Sequence, residues 1–379
     1  MPRTLVVTND FPPRQGGIET FVHAMTSRFD PDEVVVHTSS TPGQEGYDRT
    51  LPHPVVRART RMLLPTPART REVVRLVQEY RCDAVWFGAA APLGLMAPTL
   101  RRRTDVRRLV ATTHGHELWW ARVPGTRAAL RRIGRSVDHL TYLSDRTVDV
   151  LAEAVGPEVV SRAVRLSPGV DPSAFAGTDP AGGRAVRDRY GIPSDAPVVL
   201  CAARIVERKG QDTLVRAMPE VLRAVPDAHL LLVGDGPYAD RVRRLVDAHG
   251  LGGRVVLAGG HPHTAMPAFY SAADVFAGPS RTRRGGLEVE GLGIVYLEAQ
   301  AAGLPVVVGD SGGAPDAVDD GVTGFVVDGT DPGDVAARLV ELLQDPARRA
   351  RMGAAGPAWV EGVWTWDQRF EILRGLLAR

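Results

Sequence analysis

Two series of short apolar runs, each run separated from the next by a longer helix-like stretch, constrain the fold of this 379-residue chain most strongly. Continuous apolar runs are typical of parallel strands, because helices bury such strands on both faces of the sheet. The predicted strands of the first series are residues 5–8, 34–38, 84–87, 109–113 and 139–143. Those of the second series are residues 198–202, 229–233, 255–258, 275–277, 306–308 and 325–327. The sequence therefore predicts an α/β protein with two doubly wound parallel sheets.

The pattern breaks between the two series, and this break sets the predicted domain boundary. A Ser-Pro-Gly-Val-Asp segment at 167–171 is followed by Gly-, Pro- and Asp-rich residues at 177–183. We expect one Rossmann-like domain over residues 1–170 and a second over residues 171–359. Three of the six tryptophans lie within the last 21 residues. They either fill the core or mark a closing helix, over about residues 360–379, that returns to the first domain.

Composition and sequence pattern exclude several classes of protein. The 40 Gly and 29 Pro residues stay below the roughly 25–30% that is typical of low-complexity chains. The longest apolar stretch, residues 84–98, is too short and too rich in Gly and Pro to span a bilayer about 30 Å thick. Cys82 and Cys201 lack partners at metal-ligand spacing, so we expect reduced core thiols. With no signal-peptide core near the first residues, we expect a cytoplasmic or peripheral protein.

Positive charge is concentrated in the first half of the chain. The first 167 residues contain 24 basic and 17 acidic side chains, whereas the remainder contains 22 and 27. Basic residues that flank or follow the apolar segment 62–64 are Arg57, Arg59, Arg61 and Arg69. This arrangement suits an anionic lipid surface, although a solvated basic face would explain the same residues. Nucleic-acid binding is disfavoured, because the arginine runs lack interleaved aromatic residues and no nucleic-acid motif is present.

Two motifs in the first half follow predicted strands, whose carboxyl ends face the ligand crevice of a parallel sheet. Asp10 lies just after the first strand, and Gly16 and Gly17 open the next helix. Adjacent glycines let a ligand approach backbone N–H groups at a positive helix end, although a plain tight turn would look the same. His114 directly follows another strand in Thr-His-Gly-His-Glu, and we expect it to contact substrate. A metal site at this motif lacks a third ligand at helix spacing.

The only lysine among the 46 basic residues, Lys209, lies in the segment 204–210 after the first strand of the second series. Lysine presents a compact, rotatable charge, whereas arginine presents a wide planar fork. A tight phosphate pocket favours the compact charge, although chance survival of one lysine remains open. Arg204 and Lys209 are therefore a predicted diphosphate clamp.

A glycine-rich turn enters a helix within residues 285–298. Its glycines expose N-terminal helix amides to an anion. A carboxylate at that place would repel the anion, so we expect Glu290 to accept hydrogen bonds from neutral hydroxyls. Glu298, in the second turn, is expected to bind ribose hydroxyls. The alternative is a capping Glu and a surface Glu.

Together these motifs resemble those of the retaining glycosyltransferases of family 4, which have the two-domain GT-B fold. The Gly16-Gly17 pair, the Arg204/Lys209 pair, and Glu290 and Glu298 with seven residues between them carry the resemblance. Further segments resemble members that transfer mannose from GDP-mannose to phosphatidylinositol mannosides. These segments are residues 7–13, 86–92, 113–117 and 291–300, within a resemblance that extends from about residue 4 to about 370.

The resemblance implies two Rossmann-like domains that face each other across a cleft, the first binding the acceptor and the second the nucleotide sugar. It also implies a GDP-mannose donor, no divalent metal, and an anionic phospholipid acceptor at the inner face of the cell membrane. Asp10 and the four arginines beside segment 62–64 are the candidate acceptor and membrane residues. The Gly-Gly-His-Pro stretch at 259–262 lies where family members contact the base, but it departs from their pattern.

The resemblance further implies a role for each residue of the donor site. His114, Arg204, Lys209 and Glu290 form the expected catalytic set: His114 contacts the sugar, Arg204 and Lys209 the leaving diphosphate, and Glu290 the sugar hydroxyls. The remaining expected donor contacts are Gly16 and Gly17 on the diphosphate, the backbone of Gly293, Ile294 and Val295 on sugar and phosphates, and Glu298 on the ribose.

Several alternatives remain open for the chemistry. A double displacement needs a carboxylate nucleophile, and both glutamates already have other roles. We therefore expect same-face attack with the leaving phosphate oxygen accepting the proton. Inversion with His114 as general base is the alternative. A different nucleotide sugar with a soluble acceptor is the competing activity, and an inactive sugar-binding module is disfavoured because each expected catalytic position is filled.

Overall fold

The computed structural model of the chain describes residues 3–115, 117–176 and 179–378, which form two compact units. The first unit contains the described residues up to Gly169 together with those from Trp366 onward. The second unit is Val170–Thr365. It therefore extends six residues beyond the predicted end at 359. The predicted joint at 177–183 includes Gly177 and Thr178, which lie outside the described residues.

The first unit contains a seven-stranded parallel sheet with the strand order β3-β2-β1-β4-β5-β6-β7. Its strands are β1 (Thr4–Thr8), β2 (Val34–Ser39), β3 (Val55–Ala58), β4 (Ala84–Phe87), β5 (Arg108–Thr112), β6 (His139–Tyr142) and β7 (Val164–Arg165). Its helices up to residue 169 are α1 (Gly17–Thr26), α2 (Gln44–Asp48), α3 (Pro67–Glu79), α4 (Ala97–Arg103), α5 (Glu117–Arg122), α6 (Pro124–Ser136), α7 (Asp145–Val155) and α8 (Pro157–Val160).

The second unit contains a six-stranded parallel sheet with the strand order β10-β9-β8-β11-β12-β13. Its strands are β8 (Val198–Ala202), β9 (His229–Val233), β10 (Val255–Gly259), β11 (Val275–Gly278), β12 (Val306–Gly309) and β13 (Gly324–Val327). Its helices are α9 (Pro180–Arg189), α10 (Gln211–Ala224), α11 (Ala239–Ala248), α12 (Met266–Ser271), α13 (Ile294–Ala301), α14 (Pro332–Gln344) and α15 (Pro346–Val363).

Both sheets are buried on two faces, as the uninterrupted apolar runs predict. In β1, Leu5 and Val7 belong to one core and Val6 to the core on the opposite face. Neighbouring side chains of a strand point to opposite faces, so both neighbours are buried only when helices cover both sides. The two parallel sheets confirm the predicted α/β class.

Two strands of the first sheet were not predicted from the sequence, and both lie at its edges. The edge strand β3 is interrupted by Arg57, and β7 contains only two residues. An edge strand is paired on one side only, so its apolar pattern is weaker than that of a central strand.

The chain ends in helix α16 (Trp366–Ala378), which packs on the first unit. Trp366 meets Phe21 with ring centroids 5.9 Å apart, and Phe370 meets Phe29 at 4.9 Å. Trp359 and Trp364 instead belong to a core of the second unit. The helix begins later than the expected residue 360, because α15 continues to Val363 within the second unit.

Acid should destabilise the first unit, because it contains three histidines with lowered pKa values. Burial lowers the pKa of His23, His37 and His53 below the ordinary 6.5, and His23 lowers that of His53 further. Each imidazole must gain a proton on unfolding, so its contribution to stability is complete above about pH 6.5 and is lost as pH falls.

We expect the free energy of unfolding to fall by about 1 kcal/mol per histidine for each pH unit below pH 6. Urea unfolding at pH 8, 7, 6 and 5 measures this slope. His53, which is 4% exposed, provides the variant. His53→Gln should lose less stability between pH 7 and pH 5 than the wild type, and equal losses would contradict the assignment.

Candidate active site

In both sheets, the order of the strands determines where the polar loops lie. Strand order reverses between β1 and β4 in the first sheet and between β8 and β11 in the second. Loops that leave the carboxyl ends of strands beside such a reversal diverge and form a crevice, which is the usual ligand site of a doubly wound sheet. Asp10 and the predicted catalytic and donor-binding residues follow the strands β1, β5, β8 and β11 or lie in the helices after them, whereas the four arginines predicted for the acceptor and membrane lie in or after β3.

In the first unit, the segment between β1 and α1 is anchored by side chains at its start. Asn9 exchanges two hydrogen bonds with the backbone of Leu63: its amide donates to the carbonyl at 3.0 Å, and its oxygen accepts from the N–H at 2.6 Å. Asp10 is half-buried, and its N–H donates to Thr8 Oγ1 at 2.9 Å. The segment therefore leaves β1 in a fixed direction.

Gly16 and Gly17 begin helix α1 with no side chain capping its N-terminus. A Cβ atom at Gly16 would lie 2.3 Å from the carboxylate oxygen Oε2 of Glu19, whereas one at Gly17 would meet no described atom within 4 Å. The helix amides beside Gly17 are consequently accessible, and the positive end of a helix dipole favours an anion there.

His114 lies at the end of β5 and is held on three sides. Its Nε2 lies 2.6 Å from the carbonyl oxygen of Gly88, and its backbone N–H donates to Glu117 Oε2 at 2.8 Å. Its ring packs edge-on against Phe21 at 5.1 Å. Because a carbonyl only accepts, Nε2 must carry a proton and donate. His116 of the same motif lies outside the described residues.

Arg57 occupies a different position from the one expected of a membrane-binding residue. Its side chain is 7% exposed, and it pairs with Asp48 at 2.7 Å. The guanidinium also donates to the carbonyl oxygens of Pro12, at 2.6 Å, and Ser39, at 3.1 Å. Arg57 therefore fixes the loop after β1 and does not face a lipid surface.

The segment after β3 forms a mixed basic and apolar surface. Arg59 and Arg61 are exposed, and beside them Met62 and Leu64 are 60% and 48% exposed. Arg69, in the first turn of α3, pairs with Glu72 at 2.6 Å and is half-buried. We call residues Arg59, Arg61, Met62 and Leu64 the basic-apolar edge.

In the second unit, two cations meet one buried carboxylate. Lys209 Nζ lies 2.6 Å from Glu290 Oε2, and Arg208 Nη1 lies 2.8 Å from the same oxygen. Burial alone would raise the pKa of Glu290, but Lys209 and Arg208 outweigh burial and lower it, so the carboxylate is ionised. Ser280 Oγ adds a third contact to this oxygen at 3.3 Å.

Arg204 is exposed on the segment after β8, and its guanidinium has no hydrogen bond or ion pair within the described part of the chain. Its backbone carbonyl accepts from Gln211 at 3.3 Å, which ties the segment to α10. An exposed guanidinium is suited to a diphosphate, because it can form two parallel hydrogen bonds to phosphate oxygens.

Helix α13 presents its first amides without a capping side chain. The residue before it, Gly293, has φ +89°, and a Cβ there would lie 2.2 Å from the ring of Tyr296. Only glycine fits this left-handed position. Ile294 and Val295 are half-buried and begin the helix, so their N–H groups are available to an anion.

Glu298 is 5% exposed and is held by two side chains that distant segments supply. Tyr270 donates its hydroxyl to Oε2 at 2.7 Å, and His263 Nε2 lies 2.8 Å from Oε1. The hydrogen bond to Glu298 raises the pKa of His263 above its ordinary value. Each carboxylate oxygen keeps a second lone pair, so the group can still accept from hydroxyls.

The stretch at 259–262 is fixed by neighbouring polar side chains. Gly260 donates its N–H to Asp235 Oδ2 at 2.8 Å. His261 Nε2 lies 2.9 Å from the hydroxyl of Tyr190, and its ring packs on Phe269 at 4.7 Å. The histidine at this departure from the family pattern is therefore held in an aromatic cluster.

Sequence reasoning missed three residues of the site: Arg208, Tyr270 and His263. Arg208 adjoins Lys209 and shares its carboxylate, so its charge was a visible signal. Tyr270 and His263 lie 28 and 35 residues before Glu298 in the chain. No spacing rule connects residues that far apart. Among the described residues, none of the His, Cys, Asp and Glu side chains form a group of three or more that could hold a metal ion.

Comparison with known proteins gives a consistent result over both units. A family model described as Glycosyltransferase Family 4 matches residues 15–174. One described as Glycosyl transferases group 1 matches residues 184–359. The chain is 47% identical to the Mycolicibacterium smegmatis GDP-mannose-dependent alpha-(1-6)-phosphatidylinositol monomannoside mannosyltransferase, over 99% of this chain and 98% of the relative. It is 46% identical to a Corynebacterium glutamicum enzyme whose name specifies the monoacylated acceptor, over 99% and 97% of the two chains.

Solved structures agree on the fold. The Anabaena protein HepE in complex with UDP and glucose superposes with a TM-score of 0.82 at 20% identity, covering all of both chains. Sucrose-phosphate synthase from Thermosynechococcus elongatus superposes with a TM-score of 0.79 at 23% identity, covering 99% of each chain.

Proposed function

Because this chain belongs to glycosyltransferase family 4, we propose that it transfers mannose from GDP-mannose to a phosphatidylinositol monomannoside. The transfer adds a second mannose in α-(1→6) linkage with retention. The proposal rests on relatives of 44–47% identity that extend over nearly the whole chain and are named for this activity.

The observation that best supports the proposed chemistry is the meeting of Lys209 and Arg208 at the Glu290 carboxylate. Charged groups that neighbouring side chains already hold at a buried position are preorganised. They need not reorient when negative charge develops on the leaving group. We propose that Lys209 and Arg204 balance the charge of the departing GDP, and that Arg208 holds Glu290 in place. Glu290 then accepts hydrogen bonds from mannose hydroxyls.

We propose for the other predicted residues the remaining donor contacts that the family resemblance implies. Glu298 accepts from the ribose hydroxyls while Tyr270 and His263 hold its carboxylate. The amides at Gly293, Ile294 and Val295 bind the sugar and the phosphates, and those beside Gly16 and Gly17 bind the diphosphate. His114 contacts the mannose.

We propose same-face attack for the transfer. The bond between the anomeric carbon and the phosphate oxygen breaks, the acceptor hydroxyl bonds to that carbon, and its proton passes to the leaving phosphate oxygen. Two observations support this route over the alternatives. Glu290 and Glu298 are both held by other side chains, and His114 Nε2 donates to Gly88, so this nitrogen does not serve as the base for inversion.

A product assay tests the proposed function. Purified protein is offered GDP-mannose, UDP-glucose or UDP-N-acetylglucosamine together with phosphatidylinositol monomannoside. We expect lipid-linked mannose from GDP-mannose alone. Transfer from a UDP-sugar, or to a soluble acceptor in place of the lipid, would overturn the proposed donor or acceptor respectively.

Replacing Gly17 by Ala should weaken donor binding without weakening the fold. Because a Cβ there meets no described atom within 4 Å, the methyl group obstructs only an incoming ligand. We expect the KM for GDP-mannose to rise about tenfold while Tm stays unchanged or rises slightly. Gly125→Ala is the matched control, since that position in the first turn of α6 is equally open. A Gly17→Ala enzyme with an unchanged KM would contradict the assignment.

We also propose that the enzyme works at the inner face of the cell membrane and that the basic-apolar edge binds anionic lipid. None of the helices in the described residues is long and apolar enough to cross a membrane. Arg59→Gln with Arg61→Gln should lower binding to vesicles containing phosphatidylglycerol about 30-fold, because each arginine near an anionic surface contributes about 1 kcal/mol.

The control for this measurement is Arg223→Gln with Arg243→Gln. These side chains, in the second unit, are 76% and 57% exposed. Sedimentation with vesicles that contain or lack anionic lipid measures the binding. Equal losses in the two double variants would show an effect of net charge and would contradict a role for the edge.

A further inference from the structure

The carboxylate that Lys209 contacts belongs to a different loop, and that loop is tied to the Lys209 turn by arginines that the proposed chemistry does not use. Lys209 lies in a short 3-10 turn, Glu207–Lys209, whereas Glu290 follows the segment after β11. The two must keep their 2.6 Å contact although 81 residues separate them. Contacts that fix one loop relative to the other therefore also fix the positions of the charged groups in the site.

Arg281 is the buried part of this connection. Its N–H donates to the carbonyl of Arg208 at 2.8 Å. Its guanidinium, 12% exposed, donates to Asp212 at 3.0 Å and to Thr213 at 2.9 Å. The backbone before Arg281 also approaches the Lys209 turn closely: a Cβ at Gly210 would lie 2.0 Å from the carbonyl oxygen of Pro279.

Arg283 is the half-buried part of this connection, with its side chain 25% exposed. One of its terminal nitrogens lies 2.6 Å from Glu207 Oε2, and the other lies 2.7 Å from Glu288 Oε2. Its backbone also pairs with that of Glu288, so residues 283–288 form a closed loop that ends two residues before Glu290. A single guanidinium thus joins the start of the Lys209 turn to the approach to Glu290.

We propose that Arg283, by bridging Glu207 and Glu288, is a positioning residue that holds Lys209 and Arg208 at the Glu290 carboxylate. Arg283 does not contact Lys209 or Glu290 directly, and it acts by fixing the distance between the loops that carry them. The inference rests on the proposed function only for the interpretation of turnover, because the bridge itself is formed by side chains of this chain alone. Misplacing a catalytic group by about 1 Å can lower a rate by about 100-fold, so a loosened bridge has a measurable effect.

The neighbouring Arg284 supplies a matched control. It pairs with Glu288 from the same loop at 3.2 Å, but its side chain is 67% exposed and it does not reach the Lys209 turn. Arg283→Gln and Arg284→Gln therefore remove the same charge from adjacent positions, and only the first breaks the bridge.

We expect Arg283→Gln to lower kcat about tenfold, with Tm close to that of the wild type, and Arg284→Gln to leave kcat unchanged. The double variant Glu207→Gln/Arg283→Gln should be at most slightly slower than Arg283→Gln, because both changes break one bridge and the other ion pair of Glu207, with Arg281, is long at 4.0 Å. The pH dependence of kcat/KM distinguishes misplacement of Lys209 and Arg208 from a general loss of rigidity in the site. Glu290 faces Lys209, Arg208 and the phenol of Tyr296, and loss of the two cations raises its pKa. The acidic limb of kcat/KM should then move to higher pH in Arg283→Gln only.

The proposal is overturned if Arg283→Gln keeps kcat within twofold of the wild type, if Arg284→Gln loses as much, or if the acidic limb does not move. GDP titrations by calorimetry keep this test separate from the proposed function. If the wild type forms no lipid-linked mannose, the proposed function fails. The bridge is then tested by the Kd for GDP, which should rise about tenfold in Arg283→Gln and stay unchanged in Arg284→Gln. An unchanged Kd in Arg283→Gln would overturn the bridge in that case.

Discussion

Replacing Glu290 by Gln is expected to lower kcat about 100-fold or more while GDP binds no more weakly than to the wild type. The change removes a buried charge but keeps the shape of the side chain. Lys209 and Arg208 both lie within 2.8 Å of this carboxylate. In this variant the Arg283 bridge still fixes the turn that carries Lys209, and Lys209 no longer shares its charge with a carboxylate, so the affinity for GDP is retained or improved.

The separation of the two effects is what makes the Glu290 prediction specific. A residue that binds only the transferred sugar should change turnover of GDP-mannose and leave GDP binding intact. Steady-state kinetics and calorimetric titration with GDP measure the two quantities. Glu220→Gln, which removes a 50% exposed carboxylate on α10, is the control for loss of one charge. A Glu290→Gln enzyme with kcat within fivefold of the wild type, or with a much weakened affinity for GDP, would show that the role is wrong.

Replacing Lys209 by Arg is expected to lower kcat by roughly one to two orders of magnitude, with a smaller effect on folding. The side chain of Lys209 is only 13% exposed, and its ammonium shares the Glu290 Oε2 atom with a guanidinium that is already present. A second planar fork cannot approach the same oxygen as closely as a compact ammonium. The substitution retains the positive charge, so a loss of activity would be caused by the different shape of the side chain.

Two comparisons test the Lys209 prediction. Arg223→Lys exchanges the same two residue types at a 76% exposed position on α10 and should leave turnover unchanged. Thermal unfolding shows whether the Lys209→Arg protein is folded at the assay temperature. Full turnover of GDP-mannose by that protein would overturn the argument that this position needs a point charge.

Much of the fold could be predicted because the central strands carry their own signal. Strands β1, β4 and β8 are buried at every position and consist mostly of apolar residues, because helices cover both faces of the sheet. The edge strand β3 could not be predicted, since Arg57 interrupts it and is buried only because Asp48 and two carbonyls receive its guanidinium. That compensation depends on contacts which no local pattern contains.

The candidate site, like the fold, could be predicted from the sequence only in part. Lys209, Glu290 and Glu298 could be singled out because residue type and local position suggested an anion site. Their partners could not be assigned, because a sequence does not show that His263 reaches Glu298 or that Arg283 reaches Glu207. Charged side chains from distant parts of the sequence meet only in the folded chain. Their pairing decides which predicted residues are ionised and in which direction their side chains point.

The return of α16 to the first unit has a consequence for how such enzymes can be recombined. Because residues up to Gly169 and from Trp366 onward share one core, the second unit is in effect an insertion within the first. A chimera with a single crossover would join a foreign closing helix to the aromatic surface formed by Phe21 and Phe29. Two crossovers, near residues 169 and 365, exchange the second unit whole and leave the first unit with its own closing helix.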